Sequence, residues 1–300
     1  TGSSPERDPF LSALPARTDA AVFDIVRLGG SEIGRLMTKC YELDKQVSGP
    51  WKLEDFDRIA IVSDEPAQRM IVLSGKLTNV LSGMVQSKQP PQPYGTESRI
   101  YAAEGLALGG IGASAGAGGA GADAKPGAAA AAGAAAPAPP AVRYIGVWRN
   151  DVIVISAARE QVERAIDRIE GRSQQPLFVP DEEAYGAIYG ELLARQLIAF
   201  APRDLQTSVN STNLRVRFHV DVSGDVLVSA RAYGAPDVTS LGQALVDYLT
   251  KLRAAIETMR DTSYANLVGD ISVEQAKDSF TLNLAVPLTT LKTVLGPCAN

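Results

Sequence analysis

Apolar and polar residues along this chain repeat one local plan, in which two alternating apolar runs joined by a tight turn lead into an amphipathic stretch. Alternation predicts strands with one buried face, and apolar residues at i, i+3, i+4 and i+7 predict a helix. The sequence therefore predicts four hairpin-helix units. Their hairpins span 58–73, 144–155, 214–233 and 266–286, and their helices span 77–86, 157–170, 237–261 and 287–295.

Three further elements complete the pattern. A strand at 21–26 leads into a helix at about 31–47, and a short strand is predicted at 99–101. Tyr185, Ile188 and Leu192 have helical spacing, which predicts a helix at about 181–195 between the two halves of the chain.

The order of these elements predicts the fold class. Strands that feed helices through hairpins, without strict β-α-β alternation, indicate antiparallel or mixed sheets. We expect an α+β fold with two similar halves, built from hairpin-helix units with the helices on one face. The expected organisation is a disordered N-terminal tether at 1–17, a first α+β domain at 18–172 and a second α+β domain at 173–300.

A low-complexity tract at 104–141 interrupts the first predicted domain. It consists almost entirely of Ala, Gly and Pro, and no large apolar side chain follows Ile111. Such a composition cannot bury enough apolar surface to offset the entropy of ordering, so a disordered insertion is predicted. Strand-like sequence on both sides places the insertion within a sheet connection. The string Gly110-Ile111-Gly112 lacks the amphipathic helix and the acidic partner of a dinucleotide-binding loop, and no cofactor is expected.

The hairpin at 214–233 allows its register to be predicted. Matching the apolar faces of its two strands places Val222 opposite Val226, which requires a three-residue loop at 223–225. On the other face, the same register places Arg217 opposite Arg231. It also places His219 opposite Ser229 and Arg215 opposite Tyr233.

This outer face has two interpretations. Like charges directly across a strand pair are destabilising, so a solvated face with splayed arginines is the first. The second is a basic contact patch for an acidic protein partner or an anionic envelope polymer. The residues of this predicted patch are Arg215, Arg217, His219, Arg231 and Tyr233.

Composition and charge narrow the possible functions. The 300 residues are 45% hydrophobic and 21% charged, as in globular proteins, and are sufficient for about two domains. The 29 Lys and Arg residues against 34 Asp and Glu residues give a net charge of −5. This balance argues against nucleic-acid binding and against a polybasic grip on anionic lipid. No apolar run reaches the roughly 18 residues of a membrane-spanning helix.

Residues for common catalytic chemistry are scarce. The chain has 1 His and 2 Cys, too few for an ordinary zinc site, and His219 lies on the outer face of a predicted strand. The neighbouring acids Glu160 and Glu163 have the spacing of an exposed helix face. Asp24 interrupts an apolar strand, and we expect it to be partly buried and paired with Arg27 or Arg35. No catalytic residue, metal ligand or cofactor site is predicted.

The two cysteines leave a choice open. Cys40 falls on the predicted buried face of its helix, and Cys298 lies close to the end of the chain. They are either unrelated thiols or a disulfide that ties the C-terminal region to the first helix and implies an oxidising compartment. The numbering begins at Thr1 without Met, which fits either a removed leader or a trimmed sequence.

The run from Phe23 to Leu28, with Ser31, Leu36 and Cys40 after it, resembles the opening of exported proteins, often lipoproteins, of myxobacteria and related deltaproteobacteria. Those proteins open with a strand that carries a central Asp, followed by a helix that starts near a Ser. The strand at 151–155 and the helix at 160–169 are similar to a hairpin-helix of the same group, whose α+β halves are duplicated. The resemblance implies an envelope location, with a lipid-bearing Cys before Thr1 as one form of attachment, and it transfers no functional residue.

These observations lead to a functional expectation. We expect a non-enzymatic protein of the cell envelope, in the periplasm or anchored to the outer membrane, that acts through binding surfaces or as part of an assembly. A carrier of an apolar ligand, held in a cavity between helices and sheet, is the alternative. A carboxylate-based hydrolase is the third hypothesis and would require several acids in one cleft.

Overall fold

The computed structural model describes residues 8–16, 18–40, 52–65, 68–84, 90–104, 142–180, 186–193, 213–236, 238–259 and 270–295. Within these residues all strand pairs are antiparallel and belong to one sheet. The strands are β1 Asp19–Asp24, β2 Phe56–Glu65, β3 Gln68–Gly75, β4 Gln92–Tyr94, β5 Ser98–Glu104, β6 Val142–Trp148, β7 Val152–Ser156, β8 Ile188–Leu193, β9 Arg215–Asp221, β10 Val226–Tyr233, β11 Ile271–Ala276 and β12 Ser279–Val286.

The described helices are connected to these strands mostly as the sequence predicts, and the α+β class is confirmed. Their bounds are α1 Pro9–Ser12, α2 Ile25–Gly30, α3 Glu32–Cys40, α4 Leu77–Met84, α5 Arg159–Ile169, α6 Val238–Met259 and α7 Leu288–Leu295, with a 3-10 turn at Leu53–Asp55.

The strand order is β11-β12-β10-β9-β8-β1-β2-β3-β7-β6-β5-β4. The sheet therefore continues across the predicted domain boundary at 172/173, because β1 pairs with β8. Outward from this seam, one side runs β1-β2-β3-β7-β6-β5-β4 and the other runs β8-β9-β10-β12-β11. The two predicted domains thus share one sheet instead of forming separately closed sheets.

Helices cover both faces of the first part of the sheet, so the expectation of helices on one face is wrong there. In β7, Val152 and Val154 pack with Val162 and Ile166 of α5. Ile153 and Ile155 of the same strand point the other way and pack with α4. Apolar residues on both faces of a strand require two covering layers, and alternation alone does not reveal the second. We call these sides the α5 face and the α4 face.

The second part of the sheet has helices on the α4 face. Val238 and Leu241 of α6 form a buried cluster with Val216, Ala232 and Phe280. Further along, Leu288 and Leu291 of α7 pack beside a cluster that contains Ile33 of α3. Helix α3, which belongs to the first half of the chain, therefore also packs against the apolar face of the second half of the sheet.

The predicted N-terminal tether at 1–17 is wrong for residues 8–16. Asp8 caps α1, and its carboxylate binds Arg58 of β2. Phe10 and Leu14 are buried in the main cluster on the α5 face. The start of the sequence is polar and does not indicate that Phe10 and Leu14 are buried, because their burial depends on tertiary contacts. Residues 1–7 lie outside the described part of the chain.

The predicted helix at 181–195 is also wrong. Residues 181–185 lie outside the described part, and Ile188–Leu193 forms β8, which pairs with both β1 and β9. Ile188 and Leu192 are four residues apart, a spacing that fits one helix face and also fits one strand face. The central position of β8 in the sheet decided between the two.

The ends of the predicted insertion lie next to each other. Glu104 at the end of β5 pairs with Val142 at the start of β6, so residues 105–141 connect adjacent antiparallel strands. This confirms that the tract interrupts a sheet connection. Residues 105–141 themselves lie outside the described residues, and their predicted disorder stays a prediction.

Candidate functional site

The register predicted for the β9–β10 hairpin is confirmed. Arg217 lies opposite Arg231, and Arg215 lies opposite Tyr233. His219 lies opposite Ser229. This face of the hairpin is the α5 face of the sheet, because β9 pairs with β8, where Glu191 lies opposite Arg217.

Glu191 changes the meaning of the predicted basic patch. Its carboxylate, with only 5% of the side chain exposed, forms ion pairs with both Arg215 and Arg217, the latter with Nε 2.8 Å from Oε2. The Tyr233 hydroxyl also hydrogen-bonds to Glu191. The guanidinium of Arg217 lies 5.4 Å from the centre of the Tyr233 ring. Three members of the predicted patch therefore converge on one carboxylate, which we call the Glu191 cluster.

The charges in the Glu191 cluster shift its acid-base properties. Burial would raise the pKa of Glu191, but the hydrogen bonds from Arg217, Arg215 and Tyr233 outweigh it and the pKa falls below its usual value. Burial and the bond to Glu191 both raise the pKa of Tyr233. Glu191 therefore stays ionised and Tyr233 stays protonated at neutral pH, which suits a structural ion cluster.

The other two patch residues stay outside this cluster. Arg231 is exposed, with its Nε 3.3 Å from the Ser279 hydroxyl. His219 is half-buried, and the neighbouring Asp221 carboxylate accepts a hydrogen bond from the Ser223 amide, 2.9 Å away. Splayed arginines are thus wrong for Arg215 and Arg217, because both bind Glu191, which compensates one of their two positive charges. Binding of an acidic partner or an anionic polymer here stays a prediction.

The Glu191 cluster also joins the two halves of the sheet. Arg215 Nη2 donates to the Thr18 carbonyl, 3.3 Å away, just before β1. The buried Asp19 carboxylate accepts a hydrogen bond from the Leu193 amide at 2.7 Å. The sequence offered no signal for Glu191, since it lies within the stretch predicted as a helix. Side-chain bonds therefore reinforce the β1–β8 seam.

A cleft of about 670 Å³ lies on the α4 face beside the same seam. Its apolar wall comes from strands β1, β2 and β8, from the 3-10 turn and from α2. These apolar side chains are Phe23, Ile25, Leu28, Leu53, Phe56 and Ile188, and Val26 lies at the opening with 63% of its surface exposed. The cleft lies between helices and sheet and is built from the first half of the chain and β8.

Local sequence explains how the helices beside this cleft are placed. The Asp24 carboxylate accepts a hydrogen bond from the Arg27 amide at 2.9 Å and so caps α2. It also lies 3.5 Å from the Arg27 guanidinium, which confirms the expected pairing. A Cβ at Gly34 would lie 1.8 Å from the Leu28 carbonyl oxygen, so only glycine lets α3 cross α2 this closely.

Four charged residues also line the cleft. Arg35 and Lys39 lie one turn apart on α3, whereas Glu54 and Asp57 lie on the 3-10 turn and β2. All four side chains belong to exposed residues. The cleft thus combines an apolar wall with charges of both signs at its rim.

Several expected features fall outside these two sites. The side chain of Cys40 and all of Cys298 lie outside the described part of the chain, so their disulfide stays a prediction. Within the described residues, no cluster of three or more His, Cys, Asp or Glu side chains is arranged to hold a metal ion. Among the described helices, none combines the length and apolar composition required to cross a membrane.

Comparisons with known proteins add little to this picture. No family model and no curated protein matches the chain. The solved structure described as crystal form I of TP0453 is similar with a TM-score of 0.41 and 9% sequence identity, over 95% of each chain. A similarity of this size assigns neither a family nor a function.

Proposed function

We propose that this chain is a non-enzymatic binding protein of the cell envelope and that it carries an apolar ligand in the cleft between α2, α3 and the sheet. One observation carries this proposal: a volume of about 670 Å³ lined mainly by apolar side chains. Ligand sites for small molecules usually measure about 300–1,000 Å³ and combine apolar walls with a few polar groups. The cleft has both properties.

The proposed absence of catalysis is supported by how the chain uses its buried acids. Two arginines and a tyrosine bind Glu191. Glu170, the second buried carboxylate with a lowered pKa, is surrounded by backbone amides and hydroxyls of residues 96–98. Both acids are ionised and occupied with hydrogen bonds, whereas a general acid needs a raised pKa and access to substrate.

The envelope location and the two similar halves are parts of the same proposal. The resemblance of residues 23–28 to exported proteins supports the location. The strand orders β1-β2-β3-β7-β6 and β8-β9-β10-β12-β11 on the two sides of the seam are similar, although β5 and β4 extend only the first, and this similarity supports a duplicated α+β unit. Fractionation of cells that express the complete gene product tests the location: recovery with the envelope is expected, and recovery with the cytosol would contradict it.

Binding in the cleft can be tested with the uncharged fluorescent probe N-phenyl-1-naphthylamine. We expect its fluorescence to increase on binding to the wild-type protein, because the apolar wall removes the probe from water. Gly29→Leu should abolish this signal, since Gly29 lines the cleft and its added side chain would enter open space. Val26→Ser should weaken the signal by removing apolar surface from the opening.

Each variant has a matched control. Gly30 is also exposed with open space around it, but it does not line the cleft, so Gly30→Leu should leave probe binding unchanged. Leu227, 48% exposed on β10, is the counterpart of Val26, and Leu227→Ser should also have no effect. Circular dichroism verifies that all four variants fold. Probe binding that is absent, or equally affected by variants and controls, would overturn the proposal.

A further inference from the structure

The charges around the cleft indicate the chemistry of its ligand. Of the charged residues that line it, two cations lie on α3 and two carboxylates lie on the 3-10 turn and β2. We propose that the cleft binds a single-chain amphiphile with a zwitterionic head group, in which α3 holds a phosphate and Glu54 and Asp57 face an amine. This inference depends on the proposed function, since it specifies the ligand of the same cleft.

The cationic side is suited to a phosphate. Arg35 and Lys39 are four residues apart, and side chains at this spacing share one face of a helix. Arg35 Nη1 donates to the Gly30 carbonyl at 3.2 Å, a contact that fixes the guanidinium at the end of α2. A guanidinium has five N–H donors in a planar fork that matches phosphate oxygens. A phosphate above the apolar wall can therefore accept several charge-assisted hydrogen bonds.

The acidic side distinguishes the proposed ligand from a simple fatty acid. Glu54 Oε1 lies 3.3 Å from Lys52 Nζ, which partly balances its charge, whereas Asp57 adds a second exposed carboxylate. The charged residues that line the cleft are thus two cations and two carboxylates. A head group with only a negative charge would be attracted by Arg35 and Lys39 and repelled by Glu54 and Asp57. A phosphate joined to an amine satisfies both sides.

The size and composition of the cleft favour one acyl chain. About 670 Å³ is within the range of sites that enclose one small ligand. Phe23, Phe56 and Ile188 line the wall below the rim, so an alkyl chain would replace water along apolar surface while the head group remains at the charged opening. The arrangement fits an amphiphile whose head stays exposed to solvent.

Displacement of N-phenyl-1-naphthylamine tests this inference with three competitors that share a palmitoyl chain, each used below its critical micelle concentration. We expect 1-palmitoyl-lysophosphatidylethanolamine to displace the probe at concentrations at least about tenfold lower than either palmitate or monopalmitoylglycerol. Arg35→Gln with Lys39→Gln should remove its advantage over monopalmitoylglycerol. Glu54→Gln with Asp57→Asn should weaken the lysolipid and strengthen palmitate, because the repulsion of a lone anion disappears.

The control for Arg35→Gln with Lys39→Gln is Lys76→Gln with Lys251→Gln, which removes the same two positive charges. Lys76 and Lys251 are exposed and do not line the cleft. The preference of this control variant among the three competitors should match that of the wild-type protein. Equal displacement by palmitate or monopalmitoylglycerol, or a preference that survives both rim variants, would overturn the zwitterionic assignment and leave the cleft as an apolar site. Absence of probe binding to the wild-type protein would instead overturn the proposed function itself.

Discussion

Replacing Glu191 by Gln is expected to destabilise the folded protein strongly. Gln has nearly the same shape as Glu but no charge, so Arg215 and Arg217 both lose the carboxylate to which their Nε atoms bind. Arg215 suffers most, since only 16% of its side chain is exposed and water cannot readily replace its lost partner. The perturbation thus leaves a largely buried cation beside the β1–β8 seam.

The magnitude follows from burial. Removing one partner of a buried ion pair costs about 3–5 kcal/mol. Arg217 is 40% exposed, so water and salt already screen its share, and the Gln side chain retains some hydrogen bonding to the cluster. We therefore expect a loss of about 3 kcal/mol in the free energy of unfolding at pH 7. Such a loss is a large fraction of the roughly 5–15 kcal/mol that stabilises typical domains.

Urea unfolding followed by circular dichroism measures this loss, and its pH dependence gives a second test. The pKa of Glu191 in the folded protein is below its ordinary value of 4.5. The unfolded state therefore binds more protons as the pH falls below 4.5, and the stability from this carboxylate, fully present above that value, is lost towards the folded pKa. The difference between the wild-type protein and Glu191→Gln should thus shrink below pH 4.5.

Two further variants isolate the ion cluster. Glu274→Gln on β11 removes an exposed carboxylate and should change stability by less than about 0.5 kcal/mol. Adding Arg215→Gln to Glu191→Gln should cost less than the sum of the single changes, because the second removes the stranded cation. A loss below about 1 kcal/mol for Glu191→Gln, or additive single changes, would refute the view that the Glu191 cluster stabilises the seam.

Two other predictions address the first half of the fold. Glu170→Ala, just after the end of α5, removes a buried acceptor of two backbone amides and two hydroxyls, so thermal unfolding should show a loss of about 2 kcal/mol. The exposed Glu160→Ala in the first turn of α5 should have little effect, and equal losses would contradict this reasoning. Gly146→Ala places a Cβ 2.5 Å from a methyl group of α5 and should lower the free energy of unfolding in urea by about 1–3 kcal/mol. Gly224→Ala is the control, because its Cβ enters open space. An unchanged free energy of unfolding for Gly146→Ala would show that α5 can shift freely.

The predicted elements were most accurate where one face of a strand or helix is apolar. The register of β9 and β10 followed from alternating apolar residues, because slipping by one position would bury Arg217 on the wrong side. The long helix predicted at 237–261 is Val238–Met259 for the same reason. β8 was missed, since Ile188 and Leu192 fit both periodicities and a single sequence cannot reveal the neighbouring strands.

The candidate sites were less predictable than the elements. The positions of Arg215, Arg217 and Tyr233 on one face could be predicted, but their shared carboxylate lies on a strand that pairs across from them. The cleft combines side chains of the consecutive elements β1, α2 and α3 with side chains of the 3-10 turn, β2 and the remote strand β8. Neither the Glu191 cluster nor the cleft produces a periodic pattern in the sequence, so the spacing of residues could not have predicted either site.

The amino-acid sequence by itself determined the α+β class, most strands and helices, the faces of those strands and the position of the low-complexity tract, because these depend on the period of apolar residues and on local composition. Tertiary structure alone decided that both halves share one sheet, that α1 is anchored in the core, and that Glu191 binds two arginines of the predicted patch. These features depend on contacts between residues far apart along the chain, whose energies arise only when the strands pair.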